Sequence, residues 1–204
     1  MSLVVLISGR GSNLEALLDA GLPVAAVISN RPQARGLQVA AQRRVATAVV
    51  DHRGFAERPA FDAALAEAID RFEPRLVALA GFMRVLTPSF VRRYEGRLLN
   101  IHPSLLPAFP GLDTHARALA AGVKIHGCTV HFVTEALDEG PIVIQGALAV
   151  RADDTPQTLA ARVLRLEHEI YARAARWFLD GRLVLGERGV TVKGGDAQLV
   201  LAAD

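Results

Sequence analysis

Residues 98–107 have the sequence LLNIHPSLLP, and this segment gives the clearest indication of the fold class. The apolar pair Leu98–Leu99 leads into Asn100, and His102 follows two positions later. Because alternate side chains of a strand point to the same face, Asn100 and His102 should share one side. Pro103 has no backbone N–H to donate to a neighbouring strand, so it ends the strand there. The stretch therefore predicts an amide and an imidazole presented together at a strand's carboxyl end, where open α/β sheets bind ligands.

Short apolar runs alternate with helical spacing through the first hundred residues. The runs lack the polar alternation of half-exposed strands, which indicates strands buried on both faces. Strands that alternate with helices predict βαβ units and a parallel sheet, and hence an α/β fold. The predicted strands are Leu3–Ile7, Val24–Ser29, Ala48–Val50, Leu76–Leu79 and Leu98–Ile101, and the predicted helices are Asn13–Ala20, Gly36–Arg43, Pro59–Phe72 and Pro88–Tyr94.

The pattern changes after His102. Residues 103–112 hold three prolines and a glycine and should form a loop. The connection between the next two apolar runs is too short for a parallel crossover, so those strands should pair antiparallel. The predicted elements are a helix at Asp113–Ala121, strands at Cys128–Thr134 and Ile142–Val150, a helix capped by Asp154 or Thr155 that ends near Leu179, and short strands at Leu183–Leu185, Val190–Val192 and Leu199–Leu201.

Composition narrows the functional classes. The chain has 204 residues, 51% of them hydrophobic and 22% charged, with a net charge of +2, which suits one domain with a sizeable core. No Lys/Arg-rich run marks a nucleic-acid surface. A single cysteine, Cys128, excludes an internal disulfide and fits a reducing compartment. The apolar start is too short to span a membrane and lacks a signal peptide's basic residues. We therefore expect a cytoplasmic protein without nucleic-acid or membrane partners.

The segment Ser8–Asn13, with sequence SGRGSN, follows the first predicted strand. Its two glycines permit close backbone approach, and Ser12 and Asn13 place amide groups at a helix start, where anions bind. The spacing matches neither a Walker loop nor the full dinucleotide fingerprint. A phosphate site and a simple capped turn both fit this segment.

Other polar residues allow two interpretations each. His102 is either a structural histidine or a catalytic one, and Asp138, in the turn Leu137–Pro141, is either its carboxylate partner or an ordinary turn residue. Residues 80–86 could line a pocket for a flat ligand or belong to the core. Residues 167–169, Glu-His-Glu, have the pattern of a solvated helix face. His115, His126 and His131 match no zinc template, so no metal is expected.

Together these motifs resemble the phosphoribosylglycinamide formyltransferases (glycinamide ribonucleotide transformylases), a folate-dependent formyltransferase family. The resemblance covers about residues 1–181 and includes an Asn-x-His-Pro-Ser-Leu-Leu-Pro motif shared by a wider formyltransferase group. The matching segments are Ile7–Leu14, Leu79–Arg84, Asn100–Pro107, Gly127–Val133 and Leu137–Pro141. The resemblance implies a Rossmann-like, three-layer fold with a mostly parallel central sheet, an antiparallel C-terminal pair and helices on both faces.

The resemblance also implies an activity: transfer of a formyl group from N10-formyltetrahydrofolate, the co-substrate, to the amine of glycinamide ribonucleotide in de novo purine synthesis. Asn100, His102 and Asp138 match the catalytic trio, and His131 a supporting histidine. The matched ribonucleotide contacts are Gly11, Ser12, Asn13 and Glu167, and the matched folate contacts are Arg58, Met83, Arg84, Val85, Leu86 and Asn100. The implied division is a formyltransferase domain over residues 1–181, with a nucleotide-binding part at about 1–100 and a folate and catalytic part at 101–181, followed by a β-rich tail at 182–204.

The sequence is also compatible with other functions. A formyltetrahydrofolate deformylase would use water in place of the amine, although those relatives usually carry an additional N-terminal regulatory domain. A related formyltransferase acting on initiator tRNA would need a C-terminal domain and a basic surface. A nucleotide-binding protein without catalytic activity is a further alternative, but binding alone would not require Asn100, His102 and Asp138 together. Some relatives have a histidine at the position of Asp113, so the role of Asp113 stays open. The protein is expected to be a monomer or a homodimer.

Overall fold

The computed structural model describes residues 2–187 and 189–202. Met1, Arg188 and residues 203–204, which the predicted domain and tail ranges include, lie outside the described residues. The chain forms two compact units, Met1–Asn100 and Ile101–Asp204.

The first unit contains a parallel sheet. Its strands run in the order β5-β4-β1-β2-β3, and every neighbouring pair is parallel. The elements are β1 (Leu3–Ile7), α1 (Ser12–Asp19), β2 (Val24–Ser29), α2 (Arg35–Gln42), β3 (Ala46–Val49), α3 (Arg58–Asp70), β4 (Leu76–Leu79), α4 (Pro88–Arg93) and the start of β5 (Leu98–His102). The alternation predicted from the sequence is confirmed, and a short 3₁₀ turn at His52–Gly54 is an addition that the apolar pattern did not indicate.

Burial explains the pattern of these strands. All of β1 and β4 is buried, as expected for strands covered on both faces, but the same prediction is wrong for β3, which is mostly exposed at the edge of the sheet. The helix starts follow local rules: the Thr87 side chain accepts a hydrogen bond from the backbone N–H of Phe90, and Pro88 occupies the first turn of α4. Because the strands are parallel, the loops after β1, β2 and β4 lie at one edge of the sheet.

The second unit is built around an antiparallel pair. Strands β6 and β7 pair antiparallel, as predicted, and β10 pairs parallel with β7, while β8 and β9 form a separate hairpin. The elements are α5 (Thr114–Ala120), β6 (Ile125–Phe132), β7 (Ile142–Ala149), α6 (Pro156–Leu179), β8 (Leu183–Gly186), β9 (Gly189–Val192) and β10 (Leu199–Leu201).

Local chemistry fixes the ends of these elements. Helix α6 starts with a capping box, in which Thr155 and Thr158 each accept a hydrogen bond from the other's backbone N–H. Helix α5 begins at Thr114 because Asp113 has a left-handed backbone, with φ of 56°. A Cβ atom on Gly140 would lie 1.7 Å from the carbonyl oxygen of Phe132, so only glycine permits the turn after Asp138 to close onto β6.

The predicted fold class is confirmed: an α/β chain with a mostly parallel sheet and an antiparallel strand pair. Among the described residues, no helix combines the length and apolarity that a membrane crossing requires.

Candidate active site

His102 is the last residue of β5 and is buried, with 6% of its surface exposed. Its Nε2 atom lies 3.0 Å from the carbonyl oxygen of Phe109. Its Nδ1 atom lies 3.5 Å from Oδ2 of Asp138. Both ring nitrogens therefore face oxygen acceptors, and only the doubly protonated imidazolium can offer a proton to each of them.

Asp138 reaches His102 from the turn after β6. Its backbone is left-handed, with φ of 57°, a conformation in which aspartate is several-fold enriched. The backbone N–H of Gly111 donates a hydrogen bond of 2.8 Å to Oδ2, and the Asp138 side chain is only 9% exposed. The sequence left open whether Asp138 was an ordinary turn residue. The structure brings its carboxylate to the imidazole of His102.

A third buried residue, His131, faces the same carboxylate. Its Nε2 atom lies 3.9 Å from Oδ1 of Asp138, beyond hydrogen-bond distance. Its Nδ1–H donates to the carbonyl oxygen of Phe132 at 2.9 Å. Burial lowers the pKa of His131, which favours the neutral ring. The two histidines thus differ in their surroundings: burial favours the neutral ring of His131, whereas both ring nitrogens of His102 face oxygen acceptors.

The loop at residues 103–112 is held by side chains of the antiparallel strands. The Thr129 hydroxyl donates to the Ser104 carbonyl oxygen at 2.7 Å and accepts from the Leu106 N–H at 3.1 Å. The Gln145 amide donates to the Leu106 carbonyl oxygen at 2.9 Å. Within the loop, the Ser104 hydroxyl donates at 3.1 Å to the same Phe109 carbonyl oxygen that His102 contacts, a feature that nothing in the sequence pattern indicated.

His115 and His126 form a second histidine pair that the sequence did not predict. Nδ1 of His115 and Nε2 of His126 lie 3.2 Å apart, and the Phe109 ring packs edge-on against the His126 ring. Burial lowers the pKa of His126 to about 4 and also lowers the pKa of His115. Both rings are therefore neutral near pH 7.

Asn100 lies on β5 two residues before His102 and is half-buried. The alternation of a strand places both side chains on one side of β5, as the sequence predicted. An amide donor and a buried imidazole with a carboxylate beside it, on one strand face, have the chemistry needed to stabilise a developing oxyanion.

The glycine loop, residues 8–13, follows β1 and leads into α1. Gly11 has φ of 83°, and a Cβ atom there would lie 2.7 Å from the Cα atom of Gly36 at the start of α2. Gly36 donates its backbone N–H to the carbonyl oxygen of Gly9 at 3.1 Å. Asn13 is buried and Ser12 is half-buried at the start of α1. The loop thus has the close backbone packing that the glycines predicted.

Ser8 links three strand ends of the first unit. Its hydroxyl donates to Oδ1 of Asn30, after β2, at 2.6 Å, and accepts from the N–H of Met83, after β4, at 2.8 Å. Sequence reasoning singled out Ser8 only as part of the glycine loop and missed Asn30. A polar residue directly after a buried parallel strand was the available signal.

The residues matched to folate contacts lie in the first unit. The segment Met83–Leu86 follows β4, with Met83 62% and Val85 53% exposed, so the alternative that these two apolar side chains belong to the core is wrong. The Arg84 guanidinium lies 5.1 Å from the centre of the Phe61 ring. Arg58 is the first residue of α3 and is exposed.

Glu167 lies in the middle of α6 and is 8% exposed. The prediction of a solvated face over residues 167–169 is therefore wrong for Glu167, although Glu169 is exposed. The polar pattern failed because the helix turns Glu167 inward beside Leu166 and Ile170, which are buried. Among the described residues, no group of three or more His, Cys, Asp or Glu side chains is arranged to hold a metal ion.

Comparison with known proteins assigns these features to a family. The model of the formyl transferase family matches residues 1–175. The chain is 48% identical over 200 residues to phosphoribosylglycinamide formyltransferase of Escherichia coli (strain K12), covering 95% of this chain and 94% of that protein.

Solved structures of phosphoribosylglycinamide formyltransferases also resemble this chain. The phosphoribosylglycinamide formyltransferase of Coxiella burnetii is 47% identical, with a TM-score of 0.91 over 95% of this chain and 94% of the other. That of Anaplasma phagocytophilum is 39% identical, with a TM-score of 0.94 over 100% of this chain and 99% of the other. The chain therefore belongs to the formyl transferase family, and within it to the phosphoribosylglycinamide formyltransferases.

Proposed function

We propose that this protein transfers the formyl group of N10-formyltetrahydrofolate to the amine of 5-phosphoribosylglycinamide, a step of de novo purine biosynthesis. The observation that carries the proposal is the buried contact of His102 with Asp138, 3.5 Å between Nδ1 and Oδ2, in a chain 48% identical to a named enzyme of this activity. The formyl-folate is a co-substrate, and the proposed reaction uses no metal.

The reaction adds the amine nitrogen to the formyl carbon and then breaks the bond between that carbon and N10 of the folate. A tetrahedral intermediate with negative charge on oxygen lies between these steps. In our assignment the Asn100 amide donates a hydrogen bond to that oxygen, and the cationic His102 stabilises its charge. One such donor is worth about 10²–10³ in rate.

A proton must leave the attacking amine and reach N10 of the departing folate. We assign this transfer to His102, which Asp138 orients: the protonated ring gives its Nε2 proton to N10 as the bond between N10 and the formyl carbon breaks, and the neutral ring then takes the proton that the amine nitrogen releases. In the structure the Nε2–H of His102 donates to the carbonyl oxygen of Phe109. Proton transfer to a reactant therefore requires that this hydrogen bond be exchanged for one to the reactant. His131 lies beside the other oxygen of this carboxylate, with Nε2 3.9 Å from Oδ1, and we assign it a supporting role next to the catalytic trio.

The substrate contacts are proposals of the same kind. In the first unit, the glycine loop residues Gly11, Ser12 and Asn13 bind the ribonucleotide phosphate through backbone amides at the start of α1. Glu167 of the second unit is a further ribonucleotide contact. The folate contacts are Arg58, Met83, Arg84, Val85, Leu86 and Asn100. We place the enzyme in the cytoplasm, as a monomer or a homodimer, with small-molecule partners.

The alternative of a formyltetrahydrofolate deformylase is less well supported, because the relatives described above are named as transferases to phosphoribosylglycinamide. Incubation of the protein with formyl-folate, with and without glycinamide ribonucleotide, followed by folate absorbance, tests both. Turnover that depends on the ribonucleotide supports the transferase. Equal turnover without the ribonucleotide indicates the hydrolase, and no turnover in either mixture overturns both activities.

A further inference from the structure

A cavity of about 350 Å³ lies in the first unit beside the glycine loop. Two segments line it: Ser8, Gly9 and Arg10 from the loop, and four residues between β2 and the start of α2, namely Arg31, Gln33, Ala34 and Arg35. Three of the lining residues, Arg10, Arg31 and Arg35, are arginines, and none is acidic. The cavity is therefore a concentrated positive surface on a chain whose net charge is only +2.

These arginines differ from others of the same unit. Arg43, Arg53 and Arg93 form ion pairs with Asp19, Asp51 and Asp70 respectively. Arg10, Arg31 and Arg35 are exposed and make no side-chain hydrogen bond or ion pair with any residue that the structure describes. Their charge is not compensated locally, so it is available to an external anion.

Backbone packing holds the arginine cluster against the loop. The contact between Gly36 and Gly11 and the hydrogen bond from Gly36 N–H to the Gly9 carbonyl oxygen join the start of α2 to the glycine loop. Arg35 directly precedes Gly36, and Arg10 directly precedes Gly11. Two of the three charges are thus placed beside the backbone that our proposed function assigns to the ribonucleotide phosphate.

We propose that Arg10, Arg31 and Arg35 act as an anion-collecting surface, which concentrates the phosphate of the ribonucleotide at the glycine loop and so governs KM for that substrate. The inference rests on the proposed function for the identity of the anion. The arginines act as positioning residues and take no part in bond making. Clefts lined by one sign of charge raise the local concentration of an oppositely charged substrate and its association rate by about 10–10³-fold.

The central test is the triple variant Arg10→Gln, Arg31→Gln and Arg35→Gln. We expect KM for glycinamide ribonucleotide to rise about ten-fold with kcat within about two-fold of the parent, since the reacting atoms are untouched. KM for formyl-folate should not change. The matched control removes three charges elsewhere in the same unit: Arg43→Gln, Arg53→Gln and Arg71→Gln.

The dependence of KM on ionic strength provides a second test, because arginines with only a structural role would not change it. Raising salt from about 0.05 M to 0.5 M shortens the screening length, so KM of the parent and of the control should rise. KM of the triple arginine variant should depend much less on salt. An equal salt dependence in all three proteins overturns the inference.

Binding of ribose 5-phosphate, measured by calorimetry without turnover, separates this inference from the proposed function. If the parent lacks formyl transfer but binds ribose 5-phosphate more tightly than the triple variant does, the function fails and the anion-collecting surface stands. If the parent is active and both its KM and its ribose 5-phosphate affinity are unchanged in the triple variant, the inference is wrong. Equal weakening in the control also overturns it.

Discussion

The glycine loop of the first unit and the His102–Asp138 pair of the second unit differ in which part of the chain carries the assigned function, the backbone in the loop and the side chains in the pair. In the glycine loop, function is assigned to the backbone, and what matters is the absence of side-chain atoms, because Gly11 and Gly36 pack directly on each other. In the second unit, function is assigned to buried side chains whose charges compensate each other. A backbone site should therefore be damaged by adding a methyl group, and a side-chain site by removing a charge.

The largest effect should come from the second unit. We expect His102→Ala to lower kcat about 10²–10⁴-fold, the range for loss of acid–base catalysis, with little change in ribonucleotide affinity. Steady-state kinetics together with ribonucleotide calorimetry would measure both quantities. Near-normal kcat in this variant would remove the imidazole from the mechanism.

Acid should affect the second unit more than the first, because burial lowers the pKa of His115, His126 and His131, which all lie in the second unit. Burial lowers the pKa of His126 to about 4, so between pH 6.5 and 4 the unfolded chain binds more protons than the folded chain. The free energy of unfolding should therefore fall as pH drops through this window, by up to about 1.4 kcal/mol per pH unit for this histidine.

Urea unfolding at several pH values would measure this slope. The variant His126→Gln, which has no titratable ring, should show a shallower dependence than the parent. The same slope in the parent and in His126→Gln would show that other groups cause the acid sensitivity.

Asp138→Asn tests the charge compensation directly. The buried imidazolium would lose its opposing charge, so we expect kcat to fall about ten-fold or more while the shape of the side chain is kept. Asp113→Asn is the matched control, because Asp113 is exposed and its side chain makes no capping hydrogen bond. Similar kcat values for the two variants would contradict the assigned role of Asp138.

The smallest effect should come from the glycine loop. Gly11→Ala places a Cβ atom 2.7 Å from the Gly36 Cα atom at a left-handed position, which should lower the free energy of unfolding by about 1–2 kcal/mol and raise KM for the ribonucleotide. Gly9→Ala is the control, since a Cβ atom there meets nothing within 4 Å. Thermal unfolding and kinetics of both variants would measure the difference, and equal behaviour would show that the close packing is not required.

Much of the fold could be predicted because the signals were local. Runs such as Leu3–Ile7 are apolar at every position, which happens when a strand is covered on both faces, and the structure has β1 at those residues. Proline and glycine positions marked the element ends, as at Pro88 and at the turn Leu137–Pro141. The prediction failed for Glu167, because helix polarity does not show which of several charged residues turns inward.

The sequence by itself determined the order and type of the elements, the shared strand face of Asn100 and His102, and the family. Each of these depends on neighbours within a few residues or on an extended motif. Only the tertiary structure decided that Asp138 and the Phe109 carbonyl both meet His102, that His126 contacts His115, and that three arginines line one cavity. Those contacts join residues from separate loops and strands, and their distances depend on how the backbone packs rather than on local preference.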